Sequence, residues 1–140
     1  MQKTLFFILL AVFSACTNNA EKSDGTEKTE VPATSIRFAE NQHNFGSLNA
    51  GEIVLYTFEF TNTGTHDYQI SSVESDCGCT QIRHVKNAVK PGEKGWIEVE
   101  FDTSGLVGRE LKTIEVRGNS NELKHLAIFA KVNNELLDIK

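Results

Sequence analysis

Residues 53–61 read Ile53-Val54-Leu55-Tyr56-Thr57-Phe58-Glu59-Phe60-Thr61. Val54, Tyr56, Phe58 and Phe60 fall on one parity, interleaved with Leu55, Thr57, Glu59 and Thr61. Successive side chains of a strand point to opposite faces, so a row that is apolar at every second position is a strand with one face buried. The same period returns downstream. Ile97, Val99 and Phe101 alternate with Glu98 and Glu100, Ile114 and Val116 flank Glu115, and Leu126, Ile128, Ala130 and Val132 form a last row. Turn-forming stretches separate these rows: Asn49-Ala50-Gly51, Asn62-Thr63-Gly64, Lys90-Pro91-Gly92, Ser104-Gly105 and Gly118-Asn119-Ser120-Asn121. No stretch after residue 35 carries a capped, helix-period pattern of useful length.

The rows predict an all-β fold of about seven strands, near 35–39, 53–61, 67–73, 79–85, 95–102, 109–117 and 123–132. In roughly 100 residues this is a single two-sheet sandwich of immunoglobulin-like type. The apolar parity slips between Ile70 and Val73, which predicts a bulge. The Cys–Trp–Cys spacing of antibody domains is absent. Trp96 falls on outward parity beside a turn and reads as a cap on the core edge, with stacking on a carbohydrate as the functional alternative. Glu98, Glu100 and Glu115 also lie on outward parity, where acids form a solvated face that discourages edge aggregation.

Upstream of this domain the chain changes character. Lys3 precedes an unbroken apolar run, Leu5 to Phe13, followed by Ser14, Ala15 and Cys16. A basic tip, a short apolar core and small residues at the cut make a secretory signal peptide over residues 1–15. The run is shorter than the roughly 20 residues that a membrane-spanning helix needs. The cysteine directly after the small pair resembles a bacterial lipobox, with Phe13 where Leu is usual, and marks Cys16 for lipidation. Several acyl chains hold a protein stably on a membrane where one does not. Residues 17–34 are polar and charged, cannot bury enough apolar surface to offset ordering entropy, and read with Cys16 as a lipidated, disordered linker over 16–34. The folded domain is then 35–140.

Charge narrows the partners. The full chain carries 14 basic and 19 acidic residues, and loss of Lys3 with the signal leaves a net charge of 13 − 19 = −6. Without a basic stripe the domain lacks the phosphate-neutralising groups on which nucleic-acid affinity depends, so no nucleic acid is expected.

Cys77-Gly78-Cys79 is the one motif able to carry chemistry. In an extended strand, residues i and i+2 share a face about 6.7 Å apart, at the limit of the 4.4–6.8 Å Cα spacing of a disulfide. Gly78 permits the bend that would close it. Three readings stand: a structural staple, a redox pair, and half of a metal site with His84 as a third ligand or with Cu(I) held by the thiolates. An oxidising compartment favours the staple. The zinc spacing C-x₂₋₄-C and the redox motif C-x-x-C are both absent. His43, His66, His125 and Asp76 stand in no nucleophile-elbow or H-E-x-x-H pattern. The reading is accordingly non-enzymatic, with no cofactor.

Phe45-Gly46, Gly51-Glu52, Phe58-Glu59-Phe60, Asn62-Thr63-Gly64, Cys77-Gly78-Cys79-Thr80, Pro91-Gly92-Glu93, Ile97 to Phe101 and Gly108 run in order. This series resembles the domain of unknown function 1573 family of secreted bacterial proteins, often lipoproteins, over about 45–132. The resemblance implies a PapD-like sandwich and a secreted setting, and implies no chemistry. The expectation is therefore a lipid-anchored cell-envelope protein that serves as an interaction or assembly module with a protein partner. A thiol-redox or metal-handling role of Cys77 and Cys79, and carbohydrate binding, are the alternatives.

Overall fold

The computed structural model describes residues 32–134. The signal-like segment, Cys16 and most of the expected linker lie outside the described residues. Eight strands follow in order: β1 Ile36–Phe38, β2 Gln42–Asn49, β3 Ile53–Asn62, β4 Ile70–Ser75, β5 Thr80–His84, β6 Lys94–Asp102, β7 Gly108–Gly118 and β8 Lys124–Asn133. They form two four-stranded sheets, β1-β3-β6-β5 and β2-β8-β7-β4. All pairings are antiparallel except β2 with β8. The chain thus enters in one sheet at β1 and crosses to the other at β2.

The parity read from the sequence sets the core. Phe58, Phe60, Ile97, Val99 and Phe101 project from one sheet, and Ile114, Val116, Leu126, Ile128 and Val132 from the other, all essentially without solvent contact. Full burial of one such side chain contributes about 1.5–3 kcal/mol. Gly95 sits opposite Phe60 in the β3–β6 ladder, and the Phe60 ring fills the space a side chain would take there. The predicted slip in β4 is a shift of register between Ile70 and Ser72.

Three expectations need correction. The sandwich has eight strands rather than seven, because β2 went unrecognised. Its period breaks where Phe45 and Gly46 fall between the register pairs Asn44–Phe129 and Ser47–Lys131. Gly46 takes φ 76°, a conformation that glycine adopts at little cost. The ordered body also starts before Ser35. Thr34 is buried and its N–H donates to Asn119 O at 2.9 Å, while Asn119 Nδ2 donates to Pro32 O at 2.7 Å. Trp96 does lie on outward parity, but at 41% exposure opposite Glu59 it covers no part of the core.

Two buried polar side chains tie the loops to this frame. Asn62, fully buried at the end of β3, donates from Nδ2 to His66 O at 2.7 Å and to Val89 O at 2.8 Å. Its Oδ1 accepts from Thr34 Oγ1 at 3.1 Å and from the Gly64 N–H at 3.0 Å. Both amide hydrogens and both lone pairs are used, which is what a buried amide requires. At the other end, the buried Thr103 hydroxyl lies 2.8 Å from both Asn49 O and Glu52 O.

Candidate functional site

The cysteine corner lies where the chain changes sheet. β4 ends at Ser75, opposite Ile114, and β5 begins at Thr80, opposite Phe101 of the other sheet. Asp76 fixes the exit: its N–H donates to Thr113 O at 3.2 Å, and its Oδ2 accepts from the Thr113 N–H at 3.1 Å. Asp102 N–H then donates to Cys79 O at 3.0 Å and fixes the arrival. Between these anchors Cys77 and Cys79 are joined by a disulfide with Cα atoms 5.3 Å apart. Both are half-buried, and Cys79 packs against the core. The Cys79 N–H points at Cys77 Sγ across 3.0 Å, and Thr80 Oγ1 donates to Cys77 O at 3.2 Å.

Structure places His84, the candidate third ligand, at the far end of β5. Its Nδ1 lies 2.8 Å from Val85 O and its Nε2 lies 3.3 Å from Lys86 Nζ. Among the described residues, no three His, Cys, Asp or Glu side chains gather as a metal-holding group. Glu98 and Glu100 share Arg83, at 2.9 and 3.8 Å, and Glu115 pairs with Arg117 at 2.8 Å. These surface pairs contribute little to stability.

A second feature was not visible in the sequence. β1 accompanies β3 only along Phe60–Asn62, then leaves for the other sheet. Hydrogen bonding alternates along β3. The Thr103 N–H donates to Glu52 O on the β6 side, and the Ala39 N–H donates to Glu59 O on the β1 side. By that alternation the N–H and C=O of Ile53, Leu55 and Thr57 point away from β6, to a side where no strand runs among the described residues. The side chains of the same residues face outward, with Ile53 60% and Leu55 53% exposed. A shallow dent of about 210 Å³, lined by Ala39, Glu40, Tyr56, Thr57, Phe58 and Glu59, marks the point where β1 departs. Behind the edge, His43 stacks on Tyr56 with ring centroids 3.5 Å apart, and Phe45 closes the group. The Tyr56 hydroxyl donates to Glu40 Oε2 at 2.9 Å. That bond to a carboxylate, with burial and the nearby Glu40 and Glu59 charges, pushes the phenol above its ordinary range.

Known proteins set this geometry in context. The model of a protein family of unknown function, DUF1573, matches residues 36–132. The chain belongs to the DUF1573 family. The match spans every strand from β1 to the penultimate residue of β8, so the family pattern covers the whole sandwich. No curated protein matches this DUF1573 chain. Among solved structures it is similar to a protein of unknown function from Porphyromonas gingivalis W83, with 16% identity and TM-score 0.63 over 77% of this chain and 51% of that one. The chain therefore spans about half the length of that protein. It is similar as well to the ASH/PapD-like domain 7 of human CEP192, with 10% identity and TM-score 0.61 over 91% of this chain and 99% of that domain. The periplasmic chaperone SfaE aligns with 8% identity and TM-score 0.51 over 71% of this chain and 57% of its own. At these identities the likeness is one of fold: this DUF1573 domain is a PapD-like, immunoglobulin-like sandwich.

Proposed function

We propose that this protein is a lipid-anchored component of a bacterial cell envelope whose sandwich is a non-enzymatic interaction module. The observation that carries the reading is the unpaired stretch of β3, where backbone donors and acceptors lie beside exposed aliphatic side chains. An open strand edge is a template for pairing with another chain. The anchor rests on Cys16 following Phe13-Ser14-Ala15. The PapD-like frame supports the module in that a periplasmic chaperone, SfaE, is built on a similar one.

Detergent-phase partition tests the anchor. Wild type enters the detergent phase, and Cys16→Ser becomes soluble or stays unprocessed; a mature N-terminus at another residue, without lipid, overturns it. Cross-linking in intact cells tests the module, with a defined envelope partner expected and its absence removing the reading.

The half-exposed disulfide favours one second reading, thiol redox at Cys77 and Cys79. Thiol titration decides it. A bond that cycles readily, and whose loss abolishes cellular function in a folded protein, replaces the interaction module with a redox role.

A further inference from the structure

We infer that the β3 edge from Ile53 to Thr57 receives an extended polypeptide segment, apolar at alternate positions and carrying lysine or arginine at its ends. This rests on the reading of the chain as an interaction module and gives it a site and a partner chemistry. The segment continues the line that β1 abandons after Phe38. Its backbone pairs with Ile53, Leu55 and Thr57, and its outward side chains lie against Ile53 and Leu55, which are more than half exposed.

Competing edges are less open. On β7, beyond the end of β4, Leu111 is exposed, but the Thr113 N–H and C=O are both taken by Asp76. On β5 the edge is short and its half-buried Ile82 stands between the outward Gln81 and Arg83. Among the described strands, β3 places two large exposed aliphatics, Ile53 and Leu55, at successive outward positions of one unpaired run, whereas on the β7 side Leu111 stands four residues from the exposed Val107, which precedes the strand.

Charge selects the occupant. Glu40 and Glu52 stand at the two ends of the open run. On the neighbouring strand Glu100 and Asp102 lie opposite Leu55 and Ile53. β3 itself carries no lysine or arginine, and Arg83 reaches Glu98 and Glu100 from β5. A second copy of this chain docked edge to edge would set this acidic frame against itself. A segment with basic ends meets opposite charge at both ends, an arrangement that speeds encounter and fixes register.

The test uses the full chain in detergent micelles and two short synthetic peptides of alternating valine and threonine, one with lysine ends and one with glutamate ends. Residue-resolved amide exchange should slow at Ile53, Leu55 and Thr57 on adding the lysine-ended peptide. The glutamate-ended peptide should bind at least about ten-fold more weakly. Leu55→Lys changes an exposed side chain and should keep the native circular dichroism spectrum while weakening the lysine-ended peptide about ten-fold or more. Ile53→Lys serves as the second variant and should behave alike. Protection on β5 or β7 instead, equal binding by the variants, or no binding overturns the site. Protection of β3 without peptide that grows with protein concentration overturns it in favour of a second copy. The fate of the wider reading is separable through cross-linking in cells. One partner captured equally by wild type and Leu55→Lys, with no peptide protection at β3, overturns the site alone. No partner for either chain removes the module and the site together.

Discussion

The side-chain amide of Asn62 donates to the carbonyl of Val89 at 2.8 Å, joining the end of β3 to a loop 27 residues away. The same side chain also holds His66 O, Thr34 Oγ1 and the Gly64 N–H. Within Asn62-Thr63-Gly64 the asparagine is thus a junction for three chain segments as well as a turn former.

Asn62→Ala should lower stability by about 1–3 kcal/mol, since it takes the partner from His66 O and Thr34 Oγ1, whereas Val89 O keeps the Tyr68 N–H and the Gly64 N–H keeps Ser35 O. Chemical denaturation measures it. A loss under about 1 kcal/mol would mean that water takes over the bonds.

Gly95→Ala should destabilise through overpacking. A Cβ at that position comes within 2.7 and 2.8 Å of Phe60 Cε1 and Cε2, one pair from the end of the β3–β6 ladder, where the buried ring is also packed against Phe38 and Tyr68. The expected cost is about 1–3 kcal/mol. Pairing Gly95→Ala with Phe60→Leu should recover part of the cost of the single glycine change, and additivity of the two would refute the contact.

Replacing both Cys77 and Cys79 with serine should cost only about 1–2 kcal/mol, because the bond closes a loop of very few residues and removes little unfolded-state entropy. Thermal melts of oxidised and reduced protein provide the comparison. A collapse of the fold on reduction would show the corner to be a principal staple.

Alkaline pH should unfold the domain through its tyrosines. Tyr56 is raised by its bond to Glu40, and Tyr68 by burial. These are the two tyrosines of the chain. As pH passes the unfolded value of about 10, the unfolded chain loses phenolic protons first and binds fewer than the native state, so stability falls from there upward. Below that value the contribution is fully present. Ultraviolet titration should show both phenolates forming later in native protein than in urea. Tyr56→Phe should reduce the alkaline loss, and an unchanged profile in that variant would exclude Tyr56 as a contributor.

Strand period made β3, β6, β7 and β8 legible, because one face of each is buried and the alternation is clean. β2 escaped since Gly46 inserts a residue into its period and its other positions are mostly polar. Tyr68, among the most buried side chains, falls in the strand expected over 67–73 but precedes β4 and pairs with Val89 in an isolated bridge, a partner that no pattern in the sequence pointed to. The open edge could not be read from residues 53–57 at all. Whether a strand edge is covered depends on where another strand, here β1, leaves the sheet, and that is a property of pairing rather than of sequence pattern. Leu55 shows the consequence: a leucine on outward parity is unremarkable in the sequence, and gains meaning only once its neighbour on one side is seen to be missing.

The hold of Asn119 on Pro32 and Thr34 has a mechanical consequence. Any pull transmitted along the chain from its N-terminal side arrives first at these residues, not at β1. Asn119 belongs to the turn between β7 and β8, whereas β1 belongs to the opposite sheet. Tension is therefore divided between the two layers before it can peel the short first strand from β3. The Thr34–Asn62 bond carries part of the same load into the buried end of β3. A load that reaches the domain from its N-terminal side is in this way taken up by both of its sheets at the point of entry.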